Sequence, residues 1–171
     1  MNQYRITDDS GFLAIVNPAR YDSFVNIDWE FDDLVQRFKI EMQNNNLIIW
    51  YSGGEKTWRV HILETFSDDI AFRQFNKFIE VTKDRLLLTN YEDLTMAAQF
   101  ENELITTERN KDQLFDIKNG LYKATIRQMY DPEDFEAVSI DEKADFEIIF
   151  TPLAAERSVE EHIDNIIWWP S

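Results

Sequence analysis

Leu47-Ile48-Ile49-Trp50-Tyr51-Ser52-Gly53-Gly54-Glu55-Lys56-Thr57-Trp58-Arg59-Val60-His61-Ile62-Leu63 is the stretch on which the fold class turns. An apolar run, Leu47–Tyr51, ends at a serine and two glycines. A period-two run then begins, with Trp58, Val60 and Ile62 on one side and Arg59 and His61 on the other. That alternation is the pattern of a strand buried on one face. Residues 52–56 are short and glycine-bearing, so the spacing predicts a hairpin-like connection between the two strands.

The pattern continues on both sides. Gly11–Val16 predicts an early buried strand, closed by Asn17-Pro18. Downstream, Phe75, Lys77, Ile79 and Val81 continue the alternation with one polar interruption, and Lys83-Asp84 turns the chain into Arg85–Thr89. Residues 91–100 fit either a helix or a loop, and 101–112 read as an exposed polar excursion. Asn119-Gly120 is a turn signal, because both residues tolerate positive φ. It separates Leu114–Ile117 from Leu121–Met129, where Tyr122, Ala124 and Ile126 oppose Lys123, Thr125 and Arg127. Asp145–Thr151 is the last clear strand, and the tail from Ser158 suggests a short helix before Trp168-Trp169.

One segment breaks the period. Phe31, Leu34, Val35, Phe38 and Met42 form the stripe of an amphipathic helix. Asp28 is its expected N-cap, and Glu30, Asp32 and Asp33 suit the positive end of the helix dipole. Asn44-Asn45-Asn46 ends it. The expected class is α+β, mainly β: an antiparallel β-sandwich with one N-terminal amphipathic helix. No Pro/Gly/Ser-rich linker or internal repeat divides residues 1–171, so a single domain is expected.

Composition narrows the chemistry. The chain has 171 residues, 33 Asp+Glu against 17 Lys+Arg, and a formal net charge of −16. Such a chain repels a phosphate backbone and an anionic membrane surface, so neither nucleic acid nor membrane is an expected partner. Cysteine is absent, which excludes disulfides, thiolate catalysis and cysteine-ligated metals. The N-terminus shows no signal-peptide pattern and no apolar run reaches the ~20 residues of a membrane span, so a cytoplasmic location is expected.

The sequence offers little catalytic material. His61 lies mid-strand opposite the apolar face, and His162 follows Val159-Glu160-Glu161, so the two lack the spacing of a zinc-protease helix. Ser52-Gly53-Gly54 lacks a nucleophile-elbow pattern, and no phosphate-cradling glycine loop occurs. Asp131-Pro132-Glu133-Asp134-Phe135-Glu136 lacks the alternating ligands and central glycine of an EF-hand loop. No cofactor and no metal are expected, and no residue is singled out as catalytic.

The acids concentrate in 131–147, which holds eight of them against one base, Lys143. Solubility accounts for such a segment. A docking surface for a cationic protein does so too, since dense carboxylates steer a basic partner and adjacent aromatics anchor it. Asp131, Glu133, Asp134, Phe135, Glu136, Asp141 and Glu142 are the expected partner-binding residues. Five tryptophans are many for this length. Trp50 and Trp58 suit the core, while Trp168-Trp169 either seals it or presents an aromatic patch.

The strand succession from about residue 47 to 153 carries a family resemblance. Its best local match is Phe115-Asp116-Ile117 followed by Asn119-Gly120 and a tyrosine-bearing strand. The pattern resembles the competence protein J type of DNA-entry nuclease inhibitor, or a bacterial toxin-immunity protein. The helix after Asp28 and the double-Trp tail are departures from it. The resemblance implies a non-enzymatic, acidic inhibitor that neutralises a basic partner such as a nuclease toxin. Two alternatives stay open. One is a binding module for a small molecule or carbohydrate, using Trp50, Trp58 or Trp169. The other is an enzyme using carboxylates with His61. Oligomeric state is not legible.

Overall fold

A computed structural model describes residues 1–25, 29–134, 143–154 and 161–170. Among the described residues nine strands and two α-helices run in the order β1 Asn2–Asp8, β2 Phe12–Val16, α1 Phe31–Gln43, β3 Leu47–Tyr51, β4 Lys56–Ile62, β5 Arg73–Val81, β6 Arg85–Asn90, α2 Tyr91–Gln99, β7 Leu114–Asp116, β8 Gly120–Gln128 and β9 Phe146–Pro152. They form a five-stranded sheet, β1-β4-β9-β8-β5, and a four-stranded sheet, β3-β2-β6-β7. The class is α+β, mainly β.

The expected hairpin at 47–63 does not form. β3 belongs to the four-stranded sheet and β4 to the five-stranded one. The apolar periods are right, but residues 52–55 carry the chain from one sheet to the other. The links β5–β6 and β7–β8 also change sheets. A residue of positive φ stands in or beside each link: Gly53 (φ 93°), Asp84 (φ 53°) and Gly120 (φ 151°), the first residue of β8. The antiparallel expectation also needs correcting. β4 and β9 run parallel, with Val60 beside Phe146 and Ile62 beside Ile148. β1, whose polar sequence drew no strand assignment, pairs along its whole length with β4.

Two buried clusters organise the packing. Ile6, Trp58, Val60, Ile79, Ile126, Phe146 and Ile148 of the larger sheet meet Leu13, Ile15, Ile48, Trp50, Leu86 and Leu88 of the smaller. The opposite face of the smaller sheet (Phe12, Ala14, Val16, Leu47, Ile49, Leu87) packs on Leu34, Val35, Phe38 and Met42 of α1 and Leu94, Ala97 and Ala98 of α2. Because both faces of β2 are covered, all five of its residues are buried.

The structure contains a second helix, α2, so the one-helix reading is incomplete. Asn90 caps it by accepting from the Asp93 amide at 3.0 Å. α1 begins two residues later than expected. Its N-cap is Glu30, whose amide donates to the Asp33 carboxylate at 3.1 Å. Asp28 lies outside the described residues. The polar stretch 101–112 is not wholly solvated: Ile105 and Asn110 are buried, and the Asn110 amide nitrogen donates to Asp93 and to the Ile105 carbonyl. Residues 161–170 form no helix, and 155–160 lie outside the described residues.

Candidate functional site

The acidic segment leaves β8 at Met129 and returns to β9 at Phe146. Its two roots are pinned to each other and to β4. The Met129 amide donates to the Asp145 carbonyl at 2.9 Å, and the Asp145 amide donates to the Arg59 carbonyl at 2.8 Å. The Asp145 side chain is buried, accepts from the Arg59 amide (2.7 Å) and the Arg59 guanidinium (3.3 Å), and pairs with the Lys56 ammonium at 3.6 Å. Two cations and a backbone N–H thus take the place of the water that this buried carboxylate loses.

Lys56 forms the floor at the first root. Its ammonium sits 4.5 Å from the Trp58 ring centre and 4.4 Å from that of Tyr130, whose rings stack on each other. Burial draws the Lys56 ammonium below its ordinary pKa, while Asp145 opposes that shift. Burial likewise pushes the Tyr130 phenol well up, with the Asp145 charge adding to it.

Arg73 braces the same root from β5. Its Nε donates to Gln128 Oε1 at 2.6 Å, and its guanidinium lies 4.1 Å from the Trp168 ring centre. Gln128, fully buried, donates onward to the Ser52 carbonyl at 2.8 Å. Burial lowers the Arg73 pKa, and the nearby Asp131 charge pulls it back. Pro132 abuts Gly53: a Cβ on Gly53 would stand 2.4 Å from Pro132 Cγ. The sheet-crossing link 52–55 and the acidic segment therefore fit together only through a glycine. At the second root Lys143 pairs with Asp69 at 2.9 Å.

Of the seven expected partner-binding residues, Asp131, Glu133 and Asp134 are described. Asp131 closes a tight turn by accepting from the Glu133 amide at 2.9 Å, and Glu133 and Asp134 are exposed. Phe135, Glu136, Asp141 and Glu142 lie outside the described residues. Lys56, Arg59 and Arg73, which sequence reading did not single out, hold the roots. Lys56 and Arg73 begin their strands and Arg59 stands mid-strand in β4, and none gave a local signal, because their partners come from distant parts of the chain.

Other candidates disperse. His61 is partly buried on the outer side of the larger sheet, beside Glu147 in register. Burial lowers its pKa, and Glu147 opposes the shift. The Glu147 carboxylate is itself taken by Arg127 at 3.2 Å. His162 is exposed and pairs with Asp164 at 2.8 Å. Among the described residues no group of three or more His, Asp or Glu side chains is placed to hold a metal ion. Among them, too, no helix is long and apolar enough to cross a membrane.

Trp50 and Trp58 are fully buried, which removes them as stacking surfaces. The last two tryptophans separate. Trp168, at φ 61°, sends its ring against Phe75 and Arg73, alongside the cluster between the sheets. Trp169 goes the other way, onto Phe12 and Phe31 beside the helices. A cleft of ≈ 390 Å³ also opens along α1, lined by Phe24, Val25, Trp29, Asp33, Arg37 and Ile40.

No protein-family model and no curated protein sequence matches the chain. Solved structures do. "Crocagin biosynthetic gene J" superposes with a TM-score of 0.58 at 18% identity, covering 91% of this chain and 96% of that one. ComJ from Bacillus subtilis, described as the inhibitor of the DNA degrading activity of NucA, superposes with a TM-score of 0.50 at 10% identity, covering 90% and 96%. The resemblance to the competence protein J type thus extends over nearly the whole chain, as a likeness of fold. It covers 90% of the chain, a larger share than the 47–153 range that the strand pattern alone picked out.

Proposed function

We propose that this chain is a non-enzymatic acidic inhibitor, an immunity-type protein that binds and neutralises a basic partner such as a nuclease toxin. The net charge of −16 carries the reading. A nuclease cleft must be positive to hold phosphates, and an acidic protein competes for it through the same long-range field. The nuclease inhibition recorded for a protein of like fold supports the reading. So does the build of the acidic segment: its roots are held by Lys56, Arg59 and Arg73, while Glu133 and Asp134 face solvent. We place Asp131, Glu133, Asp134, Phe135, Glu136, Asp141 and Glu142 in the contact. The two sheets form a sandwich that presents them, and a bacterial cytoplasm is the matching location.

The test mixes the purified chain with nucleases or toxins encoded in the adjacent reading frame, at rising salt. Inhibition whose association rate falls steeply with salt is expected. Absence of binding to any such neighbour overturns the proposal.

A second reading follows from the crocagin-biosynthesis likeness and the cleft along α1. Its volume falls in the usual range for small-molecule sites, about 300–1,000 Å³. It is lined by Trp29, Phe24 and Ile40, with Arg37 and Asp33 as polar groups. Thermal-shift screening of small molecules, repeated on Trp29→Ala, distinguishes it from the first.

A further inference from the structure

Both helices begin with an aromatic residue, and the two meet. Phe31 is the first residue of α1 and Tyr91 the first of α2. Their ring centres lie 6.5 Å apart. Trp169 joins them, 5.6 Å from Phe31 with its plane nearly perpendicular, and is itself backed by Phe12 at 5.4 Å. The C-terminal segment is held in place there: the Tyr51 amide donates to the Ile167 carbonyl at 2.8 Å. Phe31 nonetheless remains 43% exposed, and Tyr91 and Trp169 are only partly covered. Three rings that build a packed wall and leave part of it wet form the kind of surface that anchors a partner.

The charges next to these rings along the chain are acidic. Glu30 and Asp32 flank Phe31, and Glu92 and Asp93 follow Tyr91. The 8–11 turn brings Asp8 and Asp9 to the same end, where β1 is tied to α2 by the Asn90 amide nitrogen donating to the Thr7 carbonyl at 2.9 Å. Asp8 is satisfied inside its own turn, accepting from the Ser10 amide, the Ser10 hydroxyl and the Gly11 amide. Asp93 has Arg109 at 3.8 Å. Among the described residues Glu92 and Asp9 form no ion pair. Burial first, and then Asp8, Asp9 and Asp93, push the Glu92 carboxyl above its ordinary value. An aromatic wall rimmed by carboxylates matches an arginine or lysine laid over its rings, where cation–π attraction and ion pairing act together.

We propose that the Phe31–Tyr91–Trp169 wall, with Glu92 and Asp9 at its rim, is a docking surface for a basic segment of a protein partner and takes an arginine or lysine side chain over the rings. The surface is built from different elements than the 131–147 segment. The inference rests on the basic-partner reading above and adds a second, aromatic anchor to it. Charge in the acidic segment steers the encounter, and the rings of the wall supply a short-range contact that depends less on salt.

The test is an NMR titration with a blocked peptide of three arginines separated by glycines. It follows the Trp169 indole N–H, the Phe31 and Glu92 amides, and the Glu133 and Asp134 amides. Saturable shifts at Trp169, Phe31 and Glu92 are expected. They should persist in a Glu133→Gln/Asp134→Gln double variant. Binding should weaken by about threefold to tenfold in Phe31→Ala and again in Glu92→Gln. Phe31 is substantially exposed, and Glu92→Gln keeps the side chain's shape, so the two variants guard against loss of fold as the cause. Shifts confined to Glu133 and Asp134, or wall shifts indifferent to both variants, overturn this inference and leave the proposed function standing. No saturable shift anywhere overturns both.

Discussion

Asp84 and Asn119 exchange hydrogen bonds across two sheet-crossing links. The Asp84 amide donates to Asn119 Oδ1 at 2.8 Å, and the Asn119 amide donates to Asp84 Oδ1 at 3.1 Å. The Ile117 amide adds a bond to the Asp84 carbonyl at 3.1 Å. Lys83-Asp84 and Asn119-Gly120 were legible as separate turns. Folding makes them one clamp that ties the β5–β6 link to the β7–β8 link. Asn119→Ala should lower stability by about 1 kcal/mol, the net worth of an exposed hydrogen bond of this kind. Asp84→Ala should cost more than Asp84→Gly, because alanine keeps the left-handed strain at φ 53° without the compensating bond. Urea denaturation of the three variants checks the order, and equal losses for Asp84→Ala and Asp84→Gly would contradict it.

Gly53 and Pro132 fit so closely that a methyl group cannot be added between them. With φ at 93°, Gly53→Ala adds backbone strain to the clash, for a loss of about 2 kcal/mol or more. Pro132→Gly in the same chain should recover part of it. A double-mutant cycle by chemical denaturation measures the coupling, and strictly additive losses would show that the two segments do not press on each other.

Asp8 is fully buried and accepts four hydrogen bonds, from the Ser10 amide and hydroxyl, the Gly11 amide and the Ser52 hydroxyl at 3.1 Å. It joins the 8–11 turn to the β3–β4 link. Asp8→Ala removes a charged acceptor and leaves buried donors unmatched, so a loss of about 2–4 kcal/mol is expected. Asp8→Asn, which keeps an acceptor oxygen, should lose less. Thermal unfolding monitored by near-ultraviolet circular dichroism reads both.

Stability at mild acidity should respond to Glu92. Its carboxyl is raised above 4.5 in the folded chain, by burial and then by Asp8, Asp9 and Asp93. Just above pH 4.5 the folded state therefore holds a proton that the unfolded state has released. The associated stability is complete below that pH and is lost as pH rises through the folded value. Glu92→Gln should remove this decline, gaining on the parent chain as pH climbs above 4.5. Denaturation midpoints measured from pH 4 to 7 decide it, and parallel curves for the two proteins would count against the assignment.

Local physics marked several elements in advance. Alternation marked β4, β8 and β9, the stripe from Phe31 to Met42 marked α1, and the burial of Trp50 and Trp58 follows from where they fall in apolar runs. These are properties of neighbours along the chain, so neighbours reveal them. The acidic segment was equally plain, since charge is counted residue by residue. What no local pattern contained was which strand lies beside which. A glycine-bearing link after an apolar run serves a hairpin or a change of sheet equally well. At Ser52–Glu55 the choice fell to Asp8, Gln128 and Pro132, which come from 44, 76 and about 80 residues away. β1 was invisible for the same reason, because its polar outward positions are stabilised by pairing with β4 and not by its own pattern. The wall of Phe31, Tyr91 and Trp169 likewise exists only because three distant segments converge, and it took the folded chain to bring them together.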